Sequence, residues 1–125
     1  MRFGTATLLT HGSMSGNLFS NTIDLQQDWV YSLQAIYSGS PLGTLKLQVS
    51  TDNVPSLQQY SGADVQPVVV NWTDYTGSLS STSVVVGTTS FLWNCLYPGY
   101  RWVRVAYVAS SGFGDLTVQF FGKGN

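Results

Sequence analysis

The clearest order in this chain lies between Thr44 and Ser50. Leu45, Leu47 and Val49 fall on one face there, and Thr44, Lys46, Gln48 and Ser50 on the other. A period of two belongs to a β-strand half buried against a core. The run before it repeats the pattern, with Tyr31, Leu33, Ala35 and Tyr37 on one face and Ser32, Gln34 and Ile36 on the other. Gly39, Ser40 and Pro41 separate the two runs, and residues of these types close turns, so the pattern predicts an antiparallel hairpin.

Further along, Val68 to Val70 and Trp72 predict a strand ahead of a Gly/Ser loop, and SVVVGTTSFLWNCL predicts two short apolar segments broken at Gly87. After the Pro98-Gly99 turn, Val103, Val105 and Tyr107 alternate with Trp102, Arg104, Ala106 and Val108. Both sets are largely apolar, as expected of an inner strand covered on two sides. The stretch SSGFG predicts a tight turn, after which Leu116, Val118 and Phe120 alternate with Thr117, Gln119 and Phe121. One helical turn is predicted after an Asn21 cap, carrying Ile23 and Leu25. Residues 1–20 read as an N-terminal arm or an edge strand. Short strands bounded by Gly, Pro, Ser and Asn predict an all-β antiparallel sandwich or jelly roll, with residues 1–125 forming one domain.

Composition agrees with strands and narrows the function. The chain of 125 residues is 43% hydrophobic, 14% aromatic and only 9% charged, with a formal net charge of −1. Glutamate is absent, which removes a favoured helix former. A surface with so little charge gives weak mutual repulsion, so the chain is expected in an assembly. Nucleic acid is excluded as a partner because phosphate binding needs clustered cations, and only Arg101 and Arg104 lie near each other. No apolar stretch is long enough for a membrane helix and no secretion signal is legible, which predicts folding in a cytoplasm. Cys95, the sole cysteine, has apolar neighbours and is expected as a buried hydrophobe.

Two resemblances carry the reading further. The segments LKLQVSTDNV and VNWTDYTG resemble the discoidin (galactose-binding-like) sandwich, in which a strand ending in Ser-x-Asp is followed by Trp-Thr. YRWVRVAYVASSGFGDLTVQFFGKG is similar to the paired closing strands of that fold. The same segments, with FLWN and a terminal GKG, also resemble small virion proteins of tailed bacteriophages. That resemblance implies a structural part of the particle, such as a capsid decoration (cement) protein, located in the virion after assembly in the host cytoplasm. Its partners would be the major capsid protein or tail components, together with further copies of itself in a homo-oligomer, a trimer.

No catalytic, cofactor-binding or metal-binding residues are predicted. His11, the single histidine, has Ser13 nearby but no legible orienting acid or oxyanion site. Asp24, Asp28, Asp52, Asp64, Asp74 and Asp115 are scattered at turn-like positions, where aspartate commonly bonds its own backbone. Asp52 beside Asn53 could supply oxygens to calcium, but six to eight ligands are needed. Asn71-Trp72-Thr73 matches a glycosylation acceptor, without an export signal to give it meaning. Among the aromatics, Trp93 and Trp102 are expected to be buried, while Tyr60 and Tyr75 are the candidate contact residues. They would face a neighbouring subunit or, in the alternative reading as a receptor-binding module of a phage tail or fibre, a carbohydrate.

Overall fold

Eight strands account for the regular structure of the computed structural model, which describes residues 2–25, 28–52, 69–75, 81–84, 90–96 and 100–124. Among these residues there is no helix. The strands are β1 (Arg2–Ser13), β2 (Leu18–Phe19), β3 (Ile23–Asp24), β4 (Asp28–Ser50), β5 (Thr73–Asp74), β6 (Ser81–Val84), β7 (Ser90–Leu96) and β8 (Trp102–Gly124). β4 and β8, each 23 residues long, pair antiparallel along their whole length and form the spine of the molecule.

The shorter strands attach to either side of this spine. β1 pairs with the C-terminal part of β8, and β2 and β3 pair with its N-terminal part. β7 lies along the N-terminal part of β4, and β6 and β5 along its C-terminal part. The spine thus carries one half-sheet of β1, β8, β4 and β7 and a second of β2/β3, β8, β4 and β6/β5.

A straight strand of 23 residues would span roughly 75 Å, about twice the width of a compact chain of this length. The spine therefore bends at its middle and brings the half-sheets face to face as an all-β sandwich. Tyr31, Leu33, Ala35 and Tyr37 from one end of β4 share a single core with Leu45 and Leu47 from the other end. β8 contributes Val103, Val105 and Tyr107 from one half and Leu116, Val118 and Phe120 from the other. The Tyr31 hydroxyl hydrogen-bonds the Tyr100 hydroxyl across the sandwich, while the Tyr31 ring stacks on Phe120 of its own half-sheet and Tyr100 meets Tyr75 edge-on.

Glycine and a bulge make the bend. Gly39 and Gly112 have φ of +92° and +87°, a region that side chains strongly disfavour. The register steps from Leu42↔Ser111 to Gly43↔Ala109, so Ser110 is an extra residue on β8. One extra residue flips every later side chain to the other face. Core-facing positions on β8 accordingly change from odd numbers (Val103, Val105, Tyr107) before the bulge to even numbers (Leu116, Val118, Phe120) after it, while those on β4 keep odd numbers throughout.

The strands connect differently from the sequence expectation. Residues 31–37 and 44–50 are not partners in a hairpin; they are successive parts of β4, and both pair with β8. SSGFG is not a turn but the bent middle of β8, so the two closing strands are one. In both places the glycines bend a paired ribbon instead of reversing the chain. The predicted helical turn at Ile23 is strand β3, because its neighbours bond sideways: Asn21 N–H donates to the Leu8 carbonyl and Leu25 N–H to that of Arg101. Val69 to Trp72 is not strand, and pairing begins only at Thr73. Residues 2–13 form a strand at the sheet edge, antiparallel to β8.

Candidate functional site

The outward face of the second half-sheet gathers most of the charged residues. Trp102 lies there, opposite the core-facing Val103, yet it is fully buried. The Arg101 guanidinium covers its ring at 4.5 Å, and its Nε1–H donates to the Asp52 carbonyl at 2.8 Å. Arg101 is in turn held by Asp24 through Nε at 3.3 Å and Nη2 at 3.2 Å. Arg104, one strand pitch away on the same face, sits between two rings, 4.2 Å from the Phe19 centroid and 4.3 Å from that of Trp72. A planar guanidinium suits such a sandwich better than an ammonium group would. Burial pulls the Arg104 pKa down from its ordinary value, but an arginine remains charged.

From Arg104 a polar chain runs across the strands. Its Nε donates to Gln48 Oε1 at 2.8 Å, Gln48 Nε2 donates to Asp74 Oδ1 at 3.0 Å, and Lys46 Nζ reaches Asp74 Oδ2 at 2.9 Å. At the end of β4, Asp52 Oδ2 accepts the Val70 and Asn71 backbone N–H groups, and Oδ1 accepts the Asn71 side-chain amide. These bonds, the Asn71 backbone first, hold the Asp52 carboxyl below its ordinary value of 3.8. Gln48 and then Lys46 do the same for Asp74.

Both aspartates bind their protons less readily when folded than when unfolded. Their contribution is therefore present above pH 3.8 and lost as pH falls through the lower folded values. Hydrogen exchange at the Val70 and Asn71 amides should stay slow at neutral pH, once corrected for intrinsic rates, and lose protection below pH 3.8. Unchanged protection through that range would contradict the clamp. Each charged group in this network already has a neighbouring partner, so the face is built as a cross-linked surface.

No family model matches the chain, and no curated protein sequence matches it either. A solved structure does. The fold is that of YomS, an SPBc2 prophage-derived protein, with a TM-score of 0.52 and 14% sequence identity. The superposition covers 98% of this chain and 95% of YomS, so the likeness extends through the whole sandwich. At this level of identity it speaks for the fold.

The residues singled out by sequence scatter over the molecule. Tyr75 is only half exposed: its N–H donates to the Leu47 carbonyl at 2.9 Å, and its ring meets Tyr100 edge-on with centroids 5.8 Å apart. Tyr60 and Asp64 lie outside the described residues, as do the side chains of Asp28, Trp29 and Cys95. Trp93 and Trp102 are buried. His11 is exposed on a bulge of β1 with φ of +51°, and its N–H donates to Thr117 Oγ1 at 3.2 Å. Ser13 Oγ is hydrogen-bonded to Ser15 Oγ at 2.9 Å. Among the described residues, no three His, Cys, Asp or Glu side chains come close enough to hold a metal ion. The Ser50–Asp52 and Trp72–Thr73 segments, which carry the discoidin resemblance, do meet, through Asp52 and through the pairing of Val49 with Thr73.

Two further surfaces went unnoticed in the sequence. Around the bend, Leu42, Val108 and Phe113 are exposed by 46%, 41% and 63%. On the outward face of the first half-sheet an open depression of about 550 Å³ runs across β1, β8, β4 and β7, over Gln34 and Gln119. The signal for the depression was the set of polar residues alternating with the core, which reads in a sequence simply as solvated surface.

Proposed function

We propose that this chain is a non-enzymatic structural component of a bacteriophage virion, a decoration protein that reinforces the capsid shell through contacts between subunits. The observation that carries the proposal is the apolar surface around the bend. Leu42, Val108 and Phe113 are all well exposed on a chain that has few charges to keep copies apart. Exposed apolar patches of this kind mark association sites. The bend is also backed by the spine, so the patch rests on paired strands and not on a loose loop.

A phage setting is supported by the likeness of fold to a prophage-derived protein along nearly the full length of both chains. A charge-poor exterior of Ser, Thr, Asn and Gln suits close neighbours in a shell. A ring of three copies would close such a contact about one axis. Sedimentation equilibrium of the purified protein tests this: a concentration-dependent trimer is expected, dissociated by Phe113→Ser combined with Leu42→Ser. A monomer at all concentrations that also fails to bind capsid shells would end the proposal.

A further inference from the structure

We infer that the depression on the outward face of the first half-sheet is a binding site for a neutral saccharide. Its floor lies where β8 and β4 run side by side, so the backbone beneath is already paired. Gln34 and Gln119 are register partners, which sets their carboxamides next to each other. The row continues to Thr7 on β1 and to Leu92 on β7. A second row holds Thr5, Phe121 and Ser32, where Ser32 Oγ donates to Asn94 Oδ1 at 3.1 Å.

Three properties select the ligand class. The lining itself contains no ionisable side chain, and at its rim a single cation, Lys123, stands 5.8 Å from the Phe121 ring centroid, so a phosphate or a nucleic acid would find one counter-charge where such ligands call for a cluster. Among the described residues, neither the Gln34 nor the Gln119 carboxamide has a hydrogen-bond partner, so two acceptors and four N–H donors stand open. A purely apolar ligand would bury these amides unpaired, at a cost. Leu92 and Phe121 flank them and are 55% and 36% exposed.

A sugar ring presents hydroxyls that both donate and accept, together with C–H faces that pack on apolar side chains. It matches both parts of this surface. The volume of about 550 Å³ lies in the range of small-ligand sites and leaves room for a short oligosaccharide. An extended peptide would instead be drawn to an unpaired strand edge, which this floor does not offer. The inference concerns this face alone and stands whether or not the chain resides in a virion.

An array of neutral di- to tetrasaccharides of glucose, galactose, mannose and N-acetylglucosamine, printed beside sialylated and sulfated glycans, tests it with the full chain. Saturable binding to at least one neutral glycan is expected. Gln34→Ala and Gln119→Ala should each weaken it by about tenfold, and Gln119→Glu should do the same by adding charge. Both side chains point outward, so the unfolding midpoint should stay put in all three variants, which separates lost binding from lost folding. No neutral binder, preference for the anionic glycans, or binding indifferent to all three variants would overturn the inference. So would self-association that these variants abolish without any glycan binding, which would assign the face to a second copy.

Discussion

Gly112→Ala is expected to destabilise the protein by about 2–4 kcal/mol, a loss of roughly 10 °C in melting temperature for a chain of this size. Two costs add at this position. The φ of +87° is disfavoured for any residue with a Cβ, and an added Cβ would run into the Ser40 carbonyl oxygen on the paired strand. Neither can relax locally, because Pro41 faces Gly112 in the register and Gly39, the other positive-φ glycine, lies two residues before Pro41 on β4. Straightening the ribbon to relieve the strain would pull the half-sheets apart and open the shared core. Thermal and urea unfolding of Gly112→Ala and of Gly4→Ala provide the comparison. Gly4 has open space where its Cβ would go, so that change should be nearly silent. Equal effects at both positions would contradict the account of the bend.

Trp102→Ala should cost about 3–5 kcal/mol, the usual range for removing a buried tryptophan. Trp102 is fully buried, yet it stands on the opposite face from Val103 and outside the main core cluster. Its loss would strip Arg101 of the ring it covers and leave the Asp52 carbonyl without the indole donor. Asp52 also clamps Val70 and Asn71, so the damage should spread to that segment. Faster hydrogen exchange at Val70 and Asn71 in Trp102→Phe, with much of the stability retained, would identify the indole N–H as the link. Undisturbed exchange there would show that the tryptophan acts through packing alone.

Much of the core was legible because a half-buried strand states its inward face by alternation. Tyr31, Leu33, Ala35 and Tyr37, then Leu45 and Leu47, then Val103, Val105 and Tyr107, and last Leu116, Val118 and Phe120 each share one face in the alternation, and each set is buried. The connectivity was not legible, because Gly and Pro signal a departure from straight strand without saying whether the chain reverses or bends. The inward positions of β4 nevertheless keep the same parity across Gly39–Pro41, which a continuous strand explains directly. On β8 the parity changes, and a single bulged residue accounts for that as economically as a turn does.

The outward surfaces were harder still. Arg104 was visible as a lone cation near Arg101, but its two ring partners, Phe19 and Trp72, are distant in sequence and meet it only through β2 and the segment held by Asp52. Gln34 and Gln119 come together through the same long-range pairing. Tyr75 was picked out as an aromatic in a polar stretch, and its ring is instead turned onto Tyr100. Contact surfaces in a sheet are set by register across strands, and register is what a single sequence leaves unstated.

The proposed function is that this sandwich builds a phage particle. Its most direct test is quantitative mass spectrometry of particles purified from cells that carry the gene, with the copy number referred to the major capsid protein. Decoration predicts a fixed, high ratio, with copies distributed over the shell in threes. A handful of copies per particle would move the chain to the tail or fibre, and its absence from purified particles would contradict the claim outright.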